Sequence, residues 1–311
     1  MMAQKPNRPI LIAGPTASGK SALAVALAAK RDGVIVNADS MQVYEELRIL
    51  TARPSLEDEA AVPHKLYGYI PAAQSYSLGR WLSDVARKIE DAQRSGATPI
   101  IVGGTGLYFK ALLEGLAPVP DIPAEVRERW RERSSAMAVG ELHAALEDRD
   151  PVMAARLAPQ DPQRIVRALE VIDATGKSLS TWQENAGPPL LEPAEVTALV
   201  VAPERAVVYA RCDARFAAMI ESGALDEVAA LANQGLDTEL PAMRALGMAA
   251  LRAHLAGEIT LDEAAKRVKT DTRRYAKRQL TWLRSNMITW KWFFEKDLVR
   301  LTPKIFAFID S

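Results

Sequence analysis

Cysteine is nearly absent from this sequence: Cys212 is the only one in 311 residues. An internal disulfide is therefore excluded, and so is a cysteine-based zinc site. Histidine is scarce as well. His64, His143 and His254 are scattered along the chain, without the spacing of a metal cluster, and each reads as a surface or core residue. Net charge is missing too. The 39 Lys plus Arg balance 39 Asp plus Glu, so any polyanion must be held by a local patch rather than by the field of the whole chain. No apolar run approaches the roughly 20 residues that a membrane-spanning helix requires. The basic stretch Met1 to Pro9 lacks the apolar core of a secretory signal. Neither repeats nor low-complexity tracts are evident. These absences leave a cytoplasmic enzyme with no membrane partner as the expectation.

Against that background one stretch stands out. Gly14-Pro15-Thr16-Ala17-Ser18-Gly19-Lys20-Ser21 fits the phosphate-binding pattern G-x-x-x-x-G-K-[ST] at every fixed position. Ile10-Leu11-Ile12-Ala13 before it is an apolar strand candidate, and Ala22 to Ala29 after it is rich in helix formers. Strand, glycine loop and helix start are what anion binding needs. The loop lets backbone N–H groups converge, and the helix N-terminus adds partial positive charge. Lys20 is placed to meet the outer phosphate oxygens and Ser21 to hold a magnesium ion. The bland alternative is a glycine turn before an ordinary helix.

Further along, Gly33 to Asp39 reads as a second buried strand ending at a carboxylate. Ser77 is a candidate cap for a helix with Leu78, Trp81, Leu82, Val85 and Ile89 on one face, ended by Ser95-Gly96. Thr98 to Val102 reads as a third strand that runs into Gly103-Gly104-Thr105-Gly106, followed by a helix from Leu107 to Leu113. Alternating strand, loop and helix predict an α/β fold with a parallel sheet flanked by helices, a phosphate-loop NTPase-like core. Prolines at 118, 120 and 123 mark a boundary. From Glu125 to Thr175 the pattern is helical, and Val196 to Val201 is again a strand. We therefore expect a core of residues 1–120 and 194–311, mainly helical after Cys212, interrupted by an all-helical insertion over 121–193.

The loop alone is compatible with ATP, GTP or another pyrophosphate. Nucleotide hydrolases usually carry a strand ending in a magnesium-supporting Asp, but the third strand here ends in glycines. Asp39 ends the second strand instead, where it suits a general base or a metal supporter. It also suits a turn or cap residue. A run of Lys266, Arg267, Lys269, Arg273, Arg274, Lys277, Arg278 and Arg284, interrupted only by Asp271, places an excess of one sign on one helix. Such a strip fits a phosphodiester backbone, or a solvated face packed through Val268, Tyr275, Ala276, Trp282 and Leu283. A small-molecule kinase and a non-catalytic nucleotide-switched RNA binder are the rival readings.

Several stretches occur in order: the loop; Asp39-Ser40-Met41-Gln42-Val43-Tyr44 with Thr51-Ala52-Arg53-Pro54; Val102 to Tyr108; Asp161 to Val171; Arg244-Ala245-Leu246-Gly247; and Lys277 to Arg284. Over most of the chain this ordered set resembles the tRNA dimethylallyltransferases, also called tRNA isopentenyltransferases. Met248 stands where that family generally has an aromatic, and His64-Lys65-Leu66 follows its motif loosely. A C-terminal zinc finger like that of many eukaryotic relatives is lacking, which suggests a bacterial type. The resemblance implies transfer of a dimethylallyl group from dimethylallyl diphosphate to N6 of adenosine 37 in tRNA, with Mg2+ as cofactor and a monomer as the working form. It implies that Gly14 through Ser21 hold the diphosphate, that Thr16, Lys20, Ser21 and Arg215 assist its departure, and that Asp39 is the base. It further implies tRNA contacts from Asp39, Ser40, Met41, Gln42, Thr105, Arg127, Gln163, Arg164, Ile165, Val166, Arg167, Arg244, Gly247, Lys277, Arg278, Gln279 and Arg284. The target adenine must leave its stack, which suits a clamp formed by core and insertion.

Overall fold

A computed structural model describes residues 8–295 and 297–310; most of the N-terminal stretch read for targeting lies outside them. The chain divides into two compact units, Met1–Leu113 with Leu191–Ser311, and Glu114–Leu190.

The first unit starts with β1 (Ile10–Ala13), the phosphate loop, α1 (Lys20–Lys30) and β2 (Gly33–Asn37). It continues through α2 (Leu56–Ala61), β3 (His64–Lys65), α3 (Leu78–Arg94), β4 (Thr98–Gly103) and α4 (Gly106–Glu114). The second unit holds α5 (Ala124–Ala136), α6 (Val139–Arg149), α7 (Pro151–Arg156), α8 (Pro162–Thr175) and α9 (Leu179–Glu184). The chain then returns through β5 (Thr197–Val201), α10 (Arg205–Glu221), α11 (Ala224–Ala232), α12 (Met248–Leu255), α13 (Leu261–Asn286), β6 (Lys291–Phe293) and α14 (Leu298–Asp310).

The strands form one six-stranded sheet in the order β3-β2-β4-β1-β5-β6, and every pairing is parallel. Because side chains alternate along a strand, Leu11 and Ala13 face one apolar layer and Ile10 and Ile12 the other. The first layer is filled by Trp81, Val85 and Ile89 of α3, Phe109 and Leu112 of α4, and Leu283 of α13. The second is filled by Leu23 and Leu27 of α1 with Leu301 and Ile305 of α14. Covering on both faces explains why the strands read as unbroken apolar runs. Trp81 is fully buried, stacks on Tyr108 with ring centroids 4.2 Å apart, and donates to Asn37 O at 2.9 Å. Truncating such a side chain costs about 3–5 kcal/mol.

Local signals behave as their chemistry requires. Ser77 Oγ accepts from the Arg80 N–H at the start of α3, and Thr260 with Glu263 forms a reciprocal cap on α13. Two details differ from the sequence reading. The second strand stops at Asn37, not at Asp39, because the Asn37 side chain bonds both the Asp39 N–H and the Asp39 carbonyl and turns the chain out of the ladder. The sheet also carries β3 and β6, two and three residues long, in stretches where no strand is expected.

The second unit has its own core, in which Trp130, Leu142, Leu146, Ile165 and Leu169 are buried together. Asp173 accepts from Trp130 Nε1 at 2.8 Å and pairs with Arg129 and Arg149. Asp161 caps α8 ahead of Pro162 at its first turn.

Candidate active site

The carboxyl ends of β1, β2 and β4 meet at one edge of the sheet, the usual ligand edge of an open α/β fold. The register aligns them: Ala13 pairs with Gly103, and Asn37 with Val102. The phosphate loop leaves β1, Asp39 follows β2, and Gly104-Thr105 follows β4, which ends at Gly103. Together they enclose a cavity of about 120 Å3 lined by Thr16 through Ala22, Asp39, Gln42, Thr51, Ala52, Tyr67, Val102, Gly103 and Arg215.

The loop is shaped in advance. Ala17 adopts φ 61° and Gly19 φ 94°, so successive amides turn inward before α1 begins at Lys20. Lys20 Nζ donates to Pro15 O at 3.1 Å. Removal from water lowers its pKa from 10.5 to about 8; the Arg215 charge acts in the same direction, while Asp39 and Cys212 oppose it. Arg215, from α10, donates to Thr16 Oγ1 at 2.6 Å, and Arg211 donates to Ser18 O at 3.3 Å. Burial also draws the Arg215 guanidinium downward. Half-buried cations beside converging amides are configured for a compact anion.

Asp39 shares that cavity. Its Oδ1 accepts from the Met41 N–H at 2.9 Å, so it is a turn residue and a cavity carboxylate at once. Ser40 N–H donates to Thr105 Oγ1 at 3.1 Å, joining the loops after β2 and β4. Gln42 Nε2 donates to the carbonyls of Thr51 and Ala52. The Ile49 and Leu50 amides are held by the Glu227 carboxylate at 2.6 and 2.8 Å. Glu227, on α11, thus clamps the segment that forms one wall.

The glycines after β4 have a different task from those of the first loop. A Cβ on Gly104 would lie 2.3 Å from Gln279 Nε2, and one on Gly106 would lie 2.1 Å from the Trp282 ring. They are the seat on which α13 docks. Gln279 of that helix is buried. Its Oε1 accepts from the Thr16 N–H at 2.8 Å and its Nε2 donates to Gly104 O at 2.9 Å.

Gln279, expected to touch RNA, has both ends of its amide engaged inside the protein. Its place among Val268, Thr272, Ala276, Gln279 and Leu283, all buried and spaced three or four apart, is the signal that could have found it. Ile165 is likewise fully buried in the core of the second unit and offers RNA no side chain. Around it Gln163, Arg164 and Arg167 are exposed and Val166 is half-buried, and Arg127 of α5 is exposed. In the first unit Lys277, Arg278 and Arg284 are exposed on α13. Arg274, Lys277, Arg278, Thr281, Trp282, Ser285 and Asn286 line an open hollow of about 490 Å3. Arg244 is exposed and paired with Glu239, and Gly247 precedes α12 with φ 96°. Met248 is fully buried in an apolar cluster with Val43, Tyr44 and Leu251. The histidines bond backbone: His64 Nδ1 lies 2.9 Å from Val62 O, and His143 and His254 approach carbonyls in the same way. Among the described residues no group of three or more His, Cys, Asp or Glu could hold a metal by itself. No helix among them is long and apolar enough to cross a membrane.

Fold and site define a phosphate-loop α/β protein in which the loop, Lys20, Arg215 and the Asp39 carboxylate share one cavity. Comparison with known proteins narrows that class. A family model described as IPP transferase matches residues 42–286, and one described as isopentenyl transferase matches residues 8–67. The chain belongs to the IPP transferase family. A tRNA dimethylallyltransferase of Rhodopseudomonas palustris is 58% identical over 92% of this chain and 90% of its own. One from Parvibaculum lavamentivorans is 52% identical over 100% and 98%. Among solved structures, the full-length tRNA isopentenylpyrophosphate transferase of Bacillus halodurans has a TM-score of 0.71 at 32% identity, covering 98% of this chain and 96% of that one. A eukaryotic dimethylallyltransferase studied in action on tRNA has a TM-score of 0.75 at 29% identity, covering 88% and 69%.

Proposed function

We propose that this protein transfers the dimethylallyl group of dimethylallyl diphosphate to N6 of adenosine 37 in tRNA, releasing pyrophosphate and leaving N6-isopentenyladenosine. One observation carries the reading: a single cavity contains loop amides, Lys20, Arg215 and Asp39. An anion that departs and a nucleophile that must lose a proton are thus both provided for. The allylic carbon–oxygen bond breaks with its electron pair going to the diphosphate, and the amine nitrogen bonds the allylic carbon. The N6 proton passes to the Asp39 carboxylate. Lys20, Arg215, Thr16 and the loop amides stabilise the charge that gathers on the leaving group.

Magnesium fits these residues. Ser21 and Asp39 are hard oxygen donors in one cavity, and Mg2+ takes few protein ligands, completing its shell with phosphate oxygens and water. When bound it would neutralise diphosphate charge. The tRNA is held by exposed Lys277, Arg278, Arg284 and Arg244, with Ser40, Met41, Thr105 and Gly247 nearer the loops. Arg127, Gln163, Arg164, Val166 and Arg167 present the second unit's share. We place the reaction in the cytoplasm, with the monomer as the active form.

Incubation with dimethylallyl-labelled donor and unmodified tRNA, followed by nucleoside analysis, tests the proposal. Label in isopentenyladenosine with equimolar pyrophosphate is expected. Formation of ADP from ATP with a small acceptor would make the protein a kinase. Tight nucleotide binding without prenyl turnover would make it a switch.

A further inference from the structure

Tyr67 belongs to none of the motif stretches, yet it lines the same cavity as Lys20, Asp39 and Arg215. It follows β3 and sits between two left-handed residues, Leu66 with φ 64° and Gly68 with φ 49°. Left-handed backbone is unfavourable for leucine and persists only where the surroundings fix it. The fixing bonds are specific. Leu66 O accepts from Asn37 Nδ2 at 3.0 Å, and the Gly68 N–H donates to Gln42 O at 2.9 Å. Asn37 and Gln42 bracket Asp39 in sequence, so the stretch that carries the carboxylate also holds the tyrosine turn beside it.

The ring is anchored edge-on against His64, centroids 5.5 Å apart, and packs on the apolar cluster of α1. Its hydroxyl makes no hydrogen bond among the described residues. Burial, with the charges of Asp39 and Glu59, pushes the phenol well above its ordinary range, so it remains a neutral O–H donor. The side chain is half-buried, so its unpaired hydroxyl is open to a ligand. Here it stands in a cavity whose other walls are built for an anion.

We propose that Tyr67 binds substrate, its hydroxyl donating a hydrogen bond to a non-bridging oxygen of the diphosphate alongside Lys20 and the loop amides. This rests on the reading of the cavity as a prenyl diphosphate site. A neutral donor strengthens its bond as charge builds on the leaving group, and it does so without adding another cation to neutralise Asp39. Tyr67→Phe removes only the hydroxyl. Titration calorimetry with inorganic pyrophosphate and Mg2+ is expected to show affinity weakened about tenfold, with kcat/KM for the prenyl donor reduced in proportion. The affinity for tRNA is expected to stay the same. The melting temperature of the ligand-free variant is expected to stay level or rise, because the hydroxyl has no protein partner to lose. Wild-type pyrophosphate affinity in the variant overturns the proposal. A lowered ligand-free melting temperature with unchanged affinity also overturns it and makes Tyr67 a packing residue. If the unsubstituted protein neither binds pyrophosphate nor transfers a prenyl group, the functional reading itself fails, and this inference with it.

Discussion

The cavity at the end of β1 and the outer face of α13 both present cations, and they treat them in opposite ways. Inside, Lys20 and Arg215 are held by Pro15 O and Thr16 Oγ1, and Lys20 has lost enough hydration for its pKa to fall to about 8. Outside, Arg274, Lys277 and Arg278 stand in solvent around an open hollow, and Arg274 makes only an exposed pair with Asp271, of a kind worth little. The first arrangement concentrates charge where water screens it less, which suits a compact anion. The second spreads charge along a helix, which suits an extended polyanion and loses strength as salt rises. Substitutions at the two places should therefore fail differently.

The largest effect is expected at Asp39, the one anion in the cationic cavity. Asp39→Asn keeps the shape and can still accept from the Met41 amide, but it cannot take the amine proton. Single-turnover transfer should fall about a hundredfold or more, with dimethylallyl diphosphate binding retained. Near-normal turnover would remove Asp39 from the chemistry. Lost donor binding would instead mark it as a magnesium supporter.

Lys20→Met comes next, and its two readouts should have opposite signs. Loss of a charge-assisted contact should weaken pyrophosphate binding roughly 10- to 100-fold. The ligand-free protein should meanwhile become more stable at pH 7. Lys20 titrates near 10.5 unfolded and near 8 folded, so between those values the unfolded state binds more protons and stability rises with pH. Below pH 8 the folded state bears the whole penalty of the desolvated ammonium, at most about 3 kcal/mol. The variant lacks that penalty, so its advantage should be greatest below pH 8 and vanish near pH 10.5. A variant less stable than the parent at pH 7 would contradict the desolvated lysine.

On the outer face, replacing Arg274, Lys277 and Arg278 together by Ala should weaken tRNA binding about tenfold at moderate salt. The slope of log affinity against log salt should flatten by roughly 2–3, about one per lost phosphate contact. Pyrophosphate affinity should not move. An unchanged slope in the folded variant would reduce this face to a solvated surface.

Gln279→Ala should give the smallest effect on ligands, because it touches the cavity only through the loop. Two buried hydrogen bonds disappear, at about 1–3 kcal/mol, which thermal denaturation should register. Pyrophosphate binding should weaken only a few fold as Thr16 loses its tether. A strong loss of tRNA binding with unaltered stability would return Gln279 to the RNA surface.

What was legible in the sequence was contiguous. The phosphate loop, its strand and its helix are neighbours in the chain, and the Ser77 cap and the Trp81-Val85-Ile89 face lie on one helix. The ordered motifs were legible for the same reason. What was hidden depends on partners far away. Gln279 looks like part of a basic surface until Thr16 and Gly104 are placed beside it. Nothing near Tyr67 in sequence reveals that Asn37 and Gln42 will turn it toward Asp39. β3 and β6 are too short to show a period of two, and pairing with β2 and β5 creates them. The end of β2 was misplaced because a side-chain bond, which hydropathy cannot register, draws the chain aside at Asn37.

The bond between the Thr16 amide and Gln279 spans 263 positions, and that separation sets an order of events during synthesis. The phosphate loop is among the first segments to leave the ribosome, but its Thr16 amide has no tether until α13 follows. At about 5–20 residues per second that interval is roughly 13–50 s. Before that, β1 has to wait for β5 as well, its neighbour on one side. A nascent chain arrested before Gln279 should accordingly bind pyrophosphate at least a few fold more weakly than one released past α13. The Thr16 tether thus forms only when nearly the whole polypeptide exists.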